Sequence, residues 1–243
     1  MAQCKLCLQD RVLVKGHVLS DFLYDEVYDR DTHKFHQLHT DPTKRNLTRP
    51  TGFYETMMCH DCDNRIIGTY KTYASQVFKG GVEIVIEQLA DRIVLSQLNY
   101  QKFKLFLVSL IWRCAVTVRD EFKETELPAM HLERMRLMIW NGHPGEAHDY
   151  GCVVMMPELY DELKQCILPP DPVRISGHHC YRLLAGGFWW LFVVSNHSDR
   201  FEKAELFLSK DGILNIMRER ASTDYMRKMA VDLVRNPTYP GEK

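Results

Sequence analysis

Net charge is nearly absent from this chain. Its 31 Lys and Arg face 32 Asp and Glu, leaving −1 over 243 residues. No global positive field draws it onto nucleic acid, so any such binding rests on a local patch. Long hydrophobic runs are also missing. The most apolar stretches, "KLFLVSLIWRCAVTV" and "GGFWWLFVVSN", fall short of the roughly 18 uncharged residues of a membrane span, and the first contains Arg113. The N-terminus is polar by residue 3 and has no apolar signal-peptide core. There are no internal repeats or low-complexity tracts. No phosphate-cradling glycine loop and no G-x-S-x-G elbow is present. The expectation is a cytoplasmic protein with no membrane partner.

The rest of the composition is ordinary for a globular chain, at 45% apolar and 26% charged residues. The length suits one large domain or two small ones and can bury a sizeable core. Eight cysteines are present. In a reducing compartment, paired cysteines point to metal rather than to disulfides. Cys4 and Cys7 form one C-x-x-C pair, and Cys59 and Cys62 another. Two such knuckles offer four thiolates, which satisfy a tetrahedral structural zinc. The alternative, a redox pair, normally stands alone ahead of a helix in a βαβ unit, a context not found here. The metal then ties the first residues of the chain to residue 60 and supplies much of the stability of a segment poor in aliphatic residues. Cys114, Cys152, Cys166 and Cys180 are isolated beside apolar sequence and read as buried free thiols.

Periodicity predicts short strands over 4–17 and a helix over 18–29, from Leu19, Phe22, Leu23 and Val27. Residues 30–52 read as a loop or weak hairpin, 52–58 as a strand, and a helix starts after Cys62. Helices are predicted over 82–94, 99–118 and 127–142, the last punctuated by Pro128 and Gly142. Strands are predicted over 150–156, 178–184, 187–195 and 204–209, and one or two helices over 213–236. The fold class is α+β: a zinc-bound ββα-like module over 1–80, then an α+β domain over 81–243 with helices at 82–142 and a small antiparallel sheet and helix at 150–236.

The order Cys4-Lys5-Leu6-Cys7, Gly16-His17-Val18-Leu19, then Met58-Cys59-His60-Asp61-Cys62-Asp63-Asn64 resembles the HNH, or ββα-metal, endonucleases with two zinc knuckles. It is closer to an uncharacterised bacterial group of that type, whose "Y-x-x-F-K-L-F-x-L-S-x-L-W-R" helix looks like Tyr100 to Phe106 continuing to Ser109-Leu110-Ile111-Trp112-Arg113. The likeness covers residues 1–145. It implies a hairpin with a histidine, a following helix, and an endonuclease acting on DNA or RNA in bacterial defence. It makes His17 the general base, with Asp63 and Asn64 as catalytic or metal-binding partners and Glu55 as a secondary candidate. A catalytic Mg²⁺ or Mn²⁺ is implied beside the structural Zn²⁺ on Cys4, Cys7, Cys59 and Cys62. An imidazole near its ordinary pKa suits deprotonation of water, and a divalent cation stabilises phosphate charge.

Two positions depart from the pattern. Gly16 stands where an aspartate ligand is common, and Ser20 where a proline is common. His33, His36 and His39 offer substitute ligands, or else lie in a solvated loop. His17 itself is either the base or a histidine packed on the knuckle and bonded to a backbone carbonyl. Lys5, Arg11, Lys15, Lys44, Arg45, Arg49, Arg65 and Lys71 form either a basic face or a mixed solvated surface. The run at 188–192 is a sheet core rather than a base-stacking platform. His178, His179 and Cys180 are a weak second metal candidate with Cys152 or Cys166. The rival function is a catalytically inactive, zinc-stabilised nucleic-acid- or protein-binding protein.

Overall fold

A computed structural model describes residues 1–41, 44–157 and 165–219. The chain begins with a tight two-stranded ladder, β1 (Ala2–Gln3) and β2 (Asp10–Arg11), around the first cysteine pair. Strand β3 (Leu13–His17) follows, then a single helical turn, α1 (Phe22–Asp25), and a hairpin of β4 (Phe35–Gln37) and β5 (Leu47–Arg49). Strand β6 (Tyr54–Cys59) returns antiparallel to β3 and runs into a π-helical segment, Asp61–Ile67, continued by α2 (Gly68–Lys79). Two paired strands and a helix therefore succeed one another, with residues 18–53 inserted between the strands.

The second part opens with β7 (Val85–Gln88) and β8 (Arg92–Ser96), an antiparallel pair. Helix α3 (Tyr100–Val116) starts where the Asn99 side chain accepts from the Lys102 N–H at 3.0 Å. Helix α4 (Ala129–Asn141) runs from Pro128 to Gly142, which adopts φ 67° at its end. The remaining strands are β9 (Cys152–Pro157), β10 (Cys166–Ile175), β11 (His178–Ala185), β12 (Phe188–Val193) and β13 (Leu214–Glu219). Nine strands form one mixed sheet in the order β5-β4-β10-β11-β12-β9-β13-β8-β7. The β4–β10 and β9–β13 pairs are parallel.

The α+β class holds, but the sheet is larger than expected and is mixed rather than antiparallel. The helix predicted over 82–94 is instead the β7–β8 hairpin. Val85, Ile86, Ile93 and Val94 are β-branched, and a turn after Gln88 divides the run, so strand propensity overrides the apparent helical period. Over 213–236, residues 214–219 form β13 between β9 and β8; residues 220–236 lie outside the described part. The strand predicted at 204–209 is a 3₁₀ turn, Ala204–Leu206, that packs Phe207 and Leu208 inward. The helix over 18–29 shrinks to one turn because Phe22, Leu23 and Tyr24 are fixed by tertiary contacts, not by helical repetition. Strand β10 was not anticipated. Pro169, Pro170 and Pro172 argue against a ladder, yet its register with β11 slips between Leu168 and Asp171, which accommodates Pro169 and Pro170, while Pro172 stays in register opposite Tyr181.

One apolar cluster runs from Cys4 and Leu6 through Phe53, Phe106 and Trp112 to Trp190 and Ile216. Helix α3 lies at its centre, buried from Phe103 to Cys114. No helix among the described residues is long and apolar enough to cross a membrane. The four isolated cysteines are all buried.

Candidate metal centre and the histidine cluster

The first knuckle is a turn closed by Cys4 N–H to the Gln9 carbonyl and Leu8 N–H to the Cys4 carbonyl, both 2.9 Å. A bulge in β6 opposite Val14 and Lys15 frees the Met57 carbonyl, which accepts the Lys5 N–H at 3.0 Å. The backbone N–H of Cys59 donates to Cys4 Sγ at 3.3 Å. These contacts bring the ligand atoms of Cys4, Cys7, Cys59 and Cys62 within 4.8 Å of one another. The Sγ atoms of Cys7 and Cys59 are 4.0 Å apart, close to the roughly 3.8 Å edge of a tetrahedron built on zinc–sulfur bonds of about 2.3 Å. The cage can hold a metal ion, and its geometry fits zinc.

Thiol electrostatics agree. Burial pushes the Cys4 thiol up, but N–H groups of Cys7, Cys59 and Leu6 outweigh it and bring the pKa to about 7. Burial holds the thiols of Cys7 and Cys62 above their ordinary value. Cys4 is thus favoured as a thiolate while Cys7 and Cys62 are disfavoured, an imbalance that a bound dication would remove.

His17 ends β3, opposite Tyr54. Its ring lies 3.9 Å from the Tyr54 ring, centroid to centroid. Its Nδ1 contacts Oδ1 of Asp21, four residues on and just before α1. The hydrogen bond from His17 holds the Asp21 carboxyl below its ordinary pKa. An ionised carboxylate only accepts, so Nδ1 is the donor in this contact, and in the neutral form of the ring the lone pair then falls on Nε2. The side chain is 20% exposed, and water can reach it. From behind, Arg113 of α3 donates to the His17 carbonyl and to the Ser20 hydroxyl, both at 2.9 Å.

Asp63 follows Cys62 in the π-helical segment and is buried. Its Oδ1 is 3.3 Å from Nζ of Lys71. A Cβ at residue 16 would lie 3.0 Å from both Asp63 carboxylate oxygens. Gly16 therefore makes room for a carboxylate delivered from the helix rather than from the strand. Ser20 receives Arg113. Both departures seen in the sequence thus have a contact that explains them.

The other candidates separate. Asn64 is exposed. Glu55 accepts from the Thr117 hydroxyl and the Val118 N–H beyond α3. His33 is exposed, His36 contacts Thr48, and His39 contacts Gln37. Among the described residues the four thiols are the only group of three or more His, Cys, Asp or Glu able to converge on an ion. This leaves out the 33/36/39 histidines and the His178, His179 and Cys180 run. A catalytic Mg²⁺ typically takes one or two carboxylates together with substrate oxygens. Here Asp63 is engaged by an ammonium and Asp21 by an imidazole, so the residues beside His17 do not fit a second ion. The basic residues read as a mixed surface: Arg11 and Arg65 face Asp61, Arg49 faces Glu121, and Lys44 faces Asp41 and Glu124.

Asp21, Lys71 and Tyr54 were not foreseen at the site. Asp21 stands four residues after His17, and Lys71 stands eight after Asp63, two helical turns along one face. Those spacings were the available signals. Comparison with protein-family models, curated proteins and solved structures finds no match.

Proposed function

We propose that this chain is an endonuclease of the HNH, or ββα-metal, type, acting on the phosphodiester bonds of nucleic acid, with zinc as the ion in the four-thiol cage. The resemblance extends the reading to bacterial defence. The observation that carries it is the state of His17. At the end of the first strand of a strand–strand–helix unit, its Nδ1 is committed to Asp21 and its ring rests on Tyr54. That leaves Nε2 as a base with a fixed direction, accessible to water. An imidazole so held removes a proton from water attacking phosphorus while the bond to the leaving sugar oxygen breaks.

The test is nicking of supercoiled plasmid by zinc-loaded protein with Mg²⁺ or Mn²⁺. His17→Ala is expected to lose activity by a factor of about 100 or more, the upper part of the range for general-base catalysis. Equal nicking by both proteins would end the reading.

The second reading, a catalytically inactive zinc-stabilised nucleic-acid- or protein-binding protein, is favoured by the engagement of Asp63 with Lys71. It predicts no nicking by the wild type under any condition. If the partner is nucleic acid, it also predicts plasmid retention that weakens on substitution of Lys5 and Lys15.

A further inference from the structure

The carboxylate packed under Gly16, next to His17 in the chain, is already paired with a cation of the protein itself. Lys71 projects from α2, eight residues after Asp63 of the π-helical segment, and its Nζ lies 3.3 Å from Asp63 Oδ1. Its side chain is 20% exposed. Burial and the Arg113 guanidinium hold the Lys71 ammonium below its ordinary pKa, and the carboxylates of Asp63 and of Asp21, which orients His17, oppose that shift; Arg113 also holds the His17 backbone. Asp63 restrains the ammonium. Gly16 keeps open the space that Asp63 needs. Base and fixed positive charge are thus assembled from β3, α1 and α2 without a second ion.

We propose that Lys71 is a catalytic residue of this site and performs the task otherwise given to a divalent cation. This rests on the endonuclease reading above. The ammonium pairs with a non-bridging oxygen of the scissile phosphodiester and stabilises the charge that grows there as water adds. The oxygen–phosphorus bond to water forms, and that water's proton passes to His17 Nε2. The bond from phosphorus to the leaving sugar oxygen breaks, and that oxygen takes a proton from solvent. His17 then returns its proton to solvent. The net reaction consumes one water and needs no redox partner.

The experiment uses the full zinc-loaded chain and supercoiled plasmid DNA, in EDTA and in Mg²⁺. Zinc content is measured after the EDTA treatment to confirm an intact cage. The wild type is expected to nick at similar rates in both buffers. Lys71→Met should fall by on the order of 100-fold in both, as when one preorganised electrostatic group is removed. Lys71→Gln provides a second neutral variant should the first not fold, and Lys71→Arg, which keeps the charge, should retain most activity. In a titration with Mn²⁺ followed by electron paramagnetic resonance, the wild type should take up no ion. Nicking that needs Mg²⁺ while zinc is retained, stoichiometric Mn²⁺ uptake, or full activity of Lys71→Met would each overturn the role of Lys71 and leave the endonuclease standing. Absence of nicking in every buffer removes the endonuclease and, with it, this role.

Discussion

Arg113 crosses the core to hold the strand that carries His17. It is completely buried, and its hydrogen bonds end on neutral oxygens: the carbonyls of Ser109 and His17 and the hydroxyl of Ser20. Arg113→Met would leave the His17 carbonyl and the Ser20 hydroxyl without their donor. At about 1–3 kcal/mol for each buried orphan, the expected loss is about 3 kcal/mol, read as a lowered urea midpoint with an unchanged slope. Arg113→Lys, which keeps the charge but not the fork, should fall between. An unaltered midpoint in the Met variant would show that water replaces the guanidinium. The sequence displayed this residue as one charge inside an apolar helix. A cation there must find partners, and that demand is legible without coordinates, although the partner strand, 96 residues away, is not. Cys4, Cys7, Cys59 and Cys62 were fully legible, because thiol pairs at that spacing have few other uses. Lys71 was counted only as one basic residue among eight, since neither its helix face nor the space under Gly16 can be read from composition.

The clasp joins elements that would otherwise have little to hold them. Strands β1 and β2 are two residues each, and β3 has only β6 as a partner. Stripping the metal, or substituting Cys59→Ser, should lower stability by at least about 3 kcal/mol, or roughly 6–12 °C in Tm for a chain of this size. Hydrogen exchange should then accelerate across β3 and β6 while α3 remains protected; elemental analysis of the untreated protein should give one zinc per chain. Uniform acceleration, or none, would refute a local clasp. Helices α3 and α4 were readable because one is apolar on all sides and the other is bounded by Pro128 and Gly142. The β7–β8 pair was not. Ile84, Val85, Leu89, Ile93 and Val94 fit a helical stripe as well as two short strands, and only pairing with β13 decides between them. Strand β10 was hidden by its own prolines, two of which, Pro169 and Pro170, a register slip absorbs.

At the scale of the molecule the core is continuous. Phe22 packs on Phe106 at 5.6 Å and Phe53 on Phe122 at 5.1 Å, while β4 hydrogen-bonds to β10 across more than half the chain. Residues 1–80 produced alone with zinc should therefore bind the metal yet show no cooperative thermal transition by circular dichroism. A sharp transition would show that the module stands without the sheet. Such long-range pairing has no local signature, which is why the α+β class was legible and the nine-strand order was not. The same topology bears on how the chain is made. Cys62, the last of the four thiols, is synthesised about a hundred residues ahead of β10. Until β10 follows, the β4 edge with which it pairs is unmatched, a surface open to neighbouring nascent chains. The yield of folded protein is therefore expected to depend on how quickly translation supplies that missing strand.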